Sequence, residues 1–65
     1  MNNREGVHAL LREEIKRLEG DIEVMRSGKF RMQSYESGKW VDTTAASIAS
    51  DERTIAILKK ILGED

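Results

Sequence analysis

The spacing of apolar residues changes period twice along this chain, and that double switch restricts the possible folds more than any other feature. From Val7 to Met25 the apolar positions are Val7, Leu11, Ile15, Leu18, Ile22 and Met25, steps of four, four, three, four and three. Such steps draw one stripe along a helix, and Leu10 and Val24 widen it. From residue 30 the step becomes two: Phe30, Met32 and Ser34 alternate with Arg31, Gln33 and Tyr35, which is strand spacing. From residue 45 helical spacing returns, with Ile48, Ile55, Leu58 and Leu62 on one stripe and Ala45, Ile57 and Ile61 beside it. A helix over about 3–27, a hairpin over about 29–43 and a helix over about 44–62 follow.

Punctuation agrees with these boundaries. Asn2 followed by Glu5 offers a capping box at the first helix, and Gly6 and Gly20 each weaken that helix against alanine. Ser27-Gly28 is a stop, because glycine accepts the left-handed conformation after a helix. Ser37-Gly38 suits a two-residue hairpin turn, which pairs Glu36 with Lys39, Tyr35 with Trp40, Ser34 with Val41 and Met32 with Thr43. That register puts Phe30, Met32, Val41 and Thr43 on one face, suited to a core. Arg31, Gln33, Tyr35, Trp40 and Asp42 fall on the other. Thr43 or Thr44 is a candidate N-cap, although Ser50-Asp51-Glu52-Arg53 leaves a later start at Ser50 open. Lys59 and Lys60 suit the dipole of a last turn, and Gly63 is the expected stop.

A two-stranded hairpin is marginal alone. Two antiparallel helices with the hairpin's apolar face over one end bury all three stripes, so the expected fold is α+β, helix–β-hairpin–helix, in one domain spanning 1–65. At 65 residues such a domain buries only about 60% of the surface of its unfolded chain. With 38% apolar residues and one each of Trp, Tyr and Phe, its core is thin, and thin cores lean on disulfides, metals or partners. There is no cysteine, which excludes disulfides and thiolate zinc and fits an intracellular setting. No apolar run has the length of a membrane span or signal-peptide core. A partner is the support that remains.

Catalysis is not expected, nor a cofactor or metal. His8 is the only histidine, reads as a surface residue, and lacks the companions of a metal site or a triad. Glu13-Glu14 and Asp51-Glu52 are helix neighbours whose side chains diverge. Gly28-Lys29 lacks the rest of a phosphate loop, and so small a fold leaves little room for a pocket.

Two sets of residues are candidates for binding. Tyr35 and Trp40, opposed on the outer hairpin face, suit an interface anchor, since Trp and Tyr are enriched at hot spots. A cross-strand pair that only steadies the hairpin accounts for them too. Lys29, Arg31 and Lys39 make the hairpin the basic part of the chain. Residues 29–44 hold three basic and two acidic side chains, while the flanking segments lean acidic and the net charge is −1. Repeated around a ring, these cations become a collar for DNA phosphates; on a lone subunit they are a solvated face with edge-strand lysine.

Met25, Gly28-Lys29, Gly38, Val41, Thr44, Ser47-Ile48, and Ile55 with Leu58 together give the chain a specific outline across residues 15–60. In that outline, without a gap, it resembles the gpW family of tailed bacteriophages, the head-to-tail joining or head-completion proteins. The resemblance implies a structural adaptor in the virion's head–tail junction, present in host cytoplasm during assembly. Such an adaptor binds the portal protein after DNA packaging, helps retain DNA and forms a platform for the next connector, or stopper, protein. It implies a monomer or weak oligomer when free and a ring, twelve-fold by the portal's template, when assembled. The family pattern continues into a basic tail where this sequence reads Gly63-Glu64-Asp65; if that tail docks the next connector, docking here is expected to use other residues or a different hand-over. A generic helical dimerisation module, through the nearly heptad stripe from Leu11 to Met25, and a small DNA-binding regulator are the rival readings.

Overall fold

The computed structural model describes residues 3–63, and the Asn2–Glu5 capping box lies outside them. Two helices flank a hairpin in the order α1 (Asn3–Arg26), β1 (Gln33–Glu36), β2 (Lys39–Asp42) and α2 (Thr44–Leu62). The expected α+β, helix–hairpin–helix architecture is therefore present.

The helices lie antiparallel and hold the core between them. Ile15, Leu18 and Ile22 of α1 pack on Ile55 of α2, with Ile48, Leu58 and Leu62 closing around them. Met25 is also buried. These are the i, i+3, i+4 positions of each stripe, so the core is a seam between two amphipathic helices. Arg26 donates to Glu52 across the seam at 2.6 Å, while Arg17 links Glu14 (2.6 Å) and Asp21 (3.1 Å) along α1. Both Gly6 and Gly20 are accommodated in an unbroken α1. Equally, α2 runs unbroken from Thr44, so the later start at Ser50 is not used.

The hairpin register matches the expected one pair for pair: Gln33 faces Asp42, Ser34 faces Val41, Tyr35 faces Trp40 and Glu36 faces Lys39. Ser37 and Gly38 have φ of 49° and 82°, the two positive values that a type I′ turn demands. Beyond the regular ladder, the Thr43 N–H donates to the Met32 carbonyl at 2.9 Å, extending the pairing by one step.

Three expectations are corrected. The regular strands cover four residues each rather than the whole of 29–43, because Gly28 (φ 82°) ends α1 in a turn and residues 29–32 are spent crossing to the hairpin. The hairpin's apolar face covers the core only in part: Val41 and Thr43 are half-buried, but Phe30 stays 51% and Met32 37% exposed. Antiparallel helices already satisfy each other's stripes, and the strands touch them little. Lastly, Val7 lies on the stripe but is half exposed. The two helices have 24 and 19 residues, so at 1.5 Å per residue α1 is longer by roughly 7 Å.

Candidate functional site

What fixes the hairpin against α2 is a small polar knot at its base. Thr44 is the most buried side chain of the described residues, 2% exposed. Its hydroxyl accepts the Met32 N–H at 2.8 Å, and its one proton is shared between the Met32 carbonyl, 3.4 Å away, and the Asp42 carboxylate. Thr43 occupies the N-cap position without a side-chain cap bond. The capping is done one residue earlier: Asp42 Oδ1 accepts the Thr44 N–H at 2.9 Å, the side-chain-to-backbone reach of two residues typical of aspartate turns. The other oxygen, Oδ2, accepts from Arg31, Nε lying at 3.1 Å and Nη2 also in contact. Hydrogen bonds from the Thr44 hydroxyl, the Arg31 guanidinium and the Thr44 amide hold the Asp42 carboxyl well below the usual carboxylate range. Spacing and cap preference mark Thr43 and Thr44 as candidate caps but do not single out Asp42 for this role. The run Asp-Thr-Thr before a helix was the available signal, since all three residues are cap formers.

Above this knot stands the aromatic pair. Tyr35 and Trp40 meet edge to face, ring centroids 5.3 Å apart and planes at 68°, the arrangement ring quadrupoles favour. They remain 62% and 67% exposed, so the pair steadies the hairpin and still presents most of its surface to solvent.

The basic residues of the hairpin are spread over it. Arg31 is engaged with Asp42 on the Tyr35–Trp40 side. Lys39 pairs with Glu36, and strand alternation places it on the opposite face from Trp40. Lys29 is exposed just after α1, where its N–H lies 3.3 Å from the Ser27 hydroxyl. One subunit thus has three separated cations rather than a basic face.

A feature the sequence did not suggest lies where α1, the crossing segment and α2 meet. Val24, Met25, Phe30 and Met32 floor an open groove of about 480 Å³, bordered by Asp21, Ser47, Ser50 and Asp51. This corrects the expectation that the fold leaves little room for a pocket. The groove exists because Phe30 and Met32 fall short of the helix seam. A second apolar set, Leu10, Ile57 and Ile61, is also exposed.

The remaining candidates are plain. His8 is half-buried rather than fully at the surface. Glu14 is bound to Arg17, whose hydrogen bond keeps its carboxyl below the ordinary value, and Glu52 is bound to Arg26. Neither adjacent acidic pair converges. Among the described residues no group of three or more His, Cys, Asp or Glu could hold a metal ion, and no helix is long and apolar enough to cross a membrane. No family model, curated protein or solved structure matches the chain.

Proposed function

We propose that this domain is a structural adaptor of a tailed-phage head–tail connector. It binds the portal after DNA packaging, helps retain DNA and offers a platform to the next connector protein. The observation that carries the reading is the rigidly mounted Tyr35–Trp40 pair, the largest aromatic surface of a thin-cored domain, held out to solvent. Exposed aromatics on a fixed strand suit an interface anchor, because little side-chain entropy is lost when they are covered. The helix–hairpin–helix order and the Ser37-Gly38 register support the resemblance to the joining proteins through residues 15–60.

The rivals lose ground on specific points. A dimer through the α1 stripe would need Ile15, Leu18 and Ile22, which α2 already covers. A sequence-reading regulator would need a basic face, and the hairpin cations are divided between two faces. In the adaptor reading, contact with DNA comes from Lys29 and Lys39 repeated around a ring, while Arg31 contributes only by leaving Asp42. Such contact is sequence-independent and weakens with salt.

Mixing the purified protein with DNA-filled, tailless heads and imaging the portal vertex tests the proposal. Added ring density and improved DNA retention are expected, with W40A losing both. Vertices that stay bare at saturating protein, with no gain in retention, refute it.

A further inference from the structure

The two-residue turn settles which main-chain groups of the hairpin point away from it. In an antiparallel pair, hydrogen-bonded and non-hydrogen-bonded positions alternate, and the N–H and C=O groups of the second kind face outward. The Thr43 N–H donates to the Met32 carbonyl, so Ser34·Val41 and Glu36·Lys39 are bonded pairs, and Gln33·Asp42 and Tyr35·Trp40 are the outward ones. The free edge of β1 therefore offers the donors and acceptors of Gln33 and Tyr35, and that of β2 those of Trp40 and Asp42. All four residues are exposed. Among the described residues, no backbone hydrogen bond from outside the hairpin reaches them. An open edge is a template for another strand. Of the devices that discourage such pairing, this hairpin has shortness and Lys39, while β1 carries no lysine, proline or bulge.

We propose that β2 of one copy pairs antiparallel with β1 of the next, joining hairpins into a continuous intermolecular sheet. The two edges complement each other, which selects a second copy as the occupant. One register alone, Gln33 opposite Asp42 and Tyr35 opposite Trp40 of the neighbour, uses all four outward residues. The same register sets Glu36 opposite the neighbour's Lys39 on the other hairpin face. Opposite charges directly across a ladder are favourable, and neither side chain makes an ion pair within its own subunit. Pairing like strands about a two-fold axis brings no such charges together. Glu36 is the only charged residue of β1, and Lys39 and Asp42 of β2 lie on opposite faces.

The two edges differ, so the contact is heterologous and builds a ring where the rotation closes and a fibre where it does not. The inference deepens the connector-adaptor reading, on which it rests for the ring, by naming the subunit contact. In a ring the hairpins, two strands or about 10 Å wide, take the inner radius, and the broader helix pairs the outer. Each Lys39 then stands between two Glu36 carboxylates, which leaves Lys29 the freer cation for DNA. Two bonded pairs of two hydrogen bonds each and one added aromatic contact fall well below the roughly 800 Å² per partner of a stable interface. Free copies therefore associate weakly, and a portal that aligns them supplies the missing effective concentration.

Amide hydrogen exchange on the unaltered protein reads the contact residue by residue. From about 10 μM to about 1 mM, where contacts this small dissociate, sedimentation is expected to show mass rising with concentration. Over the same range the Gln33, Tyr35, Trp40 and Asp42 amides gain protection, while the Thr43 amide is protected throughout. Emission of Trp40, the sole tryptophan, moves to the blue. E36K and K39E each weaken association about fivefold, because like charges then meet across the junction. An equimolar mixture of the two restores it, since every junction between unlike copies again opposes opposite charges. The hairpin within each copy keeps its like-charged pair, so that rescue separates the contact from effects inside one hairpin. Should either variant lose the Thr43 protection that marks an intact hairpin, the exchange pattern of the unaltered protein decides.

A protein that stays monomeric to about 1 mM overturns the contact. So does association that leaves the four amides unprotected, which assigns it to another surface such as Leu10, Ile57 and Ile61. A mixture of intact E36K and K39E that associates no better than either alone overturns it too. Protection of the four amides only when DNA-filled heads are added gives the edges to a strand of another protein, and not to a second copy. Vertex binding without self-association removes this inference and leaves the adaptor reading. Self-association without vertex binding does the reverse.

Discussion

Replacing Thr44 by valine removes one oxygen from the most buried side chain and keeps its branched shape. The hydroxyl accepts the Met32 N–H at 2.8 Å and lies 3.4 Å from the Met32 carbonyl. A neutral hydrogen bond contributes about 0.5–1.5 kcal/mol net, and an amide left buried without a partner costs about 1–3 kcal/mol. Met32 is 37% exposed, so water recovers part of that second amount, and T44V should destabilise by about 1–2 kcal/mol. For a domain of this size one kcal/mol moves Tm by about 4–8 °C, which makes the expected fall about 5–15 °C. T44S keeps the oxygen and loses one methyl, about 0.8 kcal/mol or less. Urea unfolding followed by far-ultraviolet circular dichroism gives both values. Amide exchange provides the local check: Met32 loses protection in T44V far more than the α1 core does. If T44V lies within about 0.3 kcal/mol of the parent, or T44S is the worse of the two, the hydroxyl is not the fastening described here.

Two further outcomes follow from the hairpin and its base. Asp42 has a folded pKa below its unfolded one, so its contribution to stability is fully present above the unfolded value of about 3.9. It is lost as pH falls below that value toward the folded one. Unfolding midpoints should therefore drop on acidification below about pH 4, with D42N showing a shallower decline, and parallel curves would refute this assignment. Ser37 sits at φ 49° before Gly38 at 82°, and asparagine tolerates the first of these positions better. S37N should raise stability by several tenths of a kcal/mol, measured by denaturation midpoint, and a loss would contradict the type I′ geometry.

The parts of this fold that sequence made legible are those governed by local chemistry. The hairpin register follows from a two-residue turn, since Ser37-Gly38 leaves one way to pair Glu36 with Lys39 and every later pair is then determined. The end of α1 follows from Gly28 and that of α2 from Gly63, both with positive φ. The stripes of α1 and α2 named the core correctly from Ile15 to Met25 and from Ile48 to Leu62. What was hidden depends on distances between elements. Phe30 and Met32 alternate like core residues, yet periodicity shows which face a residue takes and not whether anything covers it. Thr44 reaches a backbone group twelve positions earlier, and a main-chain N–H leaves no mark in sequence. For the candidate site, Tyr35 and Trp40 were visible as a pair, whereas the groove came from the gap between a short hairpin and a self-sufficient helix seam. Lys29, Arg31 and Lys39 were legible as the hairpin's cations, whereas their division between two faces follows from strand alternation.

The separation of helix seam from hairpin also bears on how such a protein changes over time. Residues that hold the molecule together and residues that meet the outside world are almost disjoint: Ile15, Leu18, Ile22 and Ile55 on one hand, Gln33, Tyr35 and Trp40 on the other. Substitutions on the projecting strands away from Tyr35 and Trp40 alter the exposed surface while the helix seam, and with it most of the stability, is untouched. The knot of Asp42, Thr44 and Met32 and the Tyr35–Trp40 pair belong to both sets, and there a change of surface is also a change of stability.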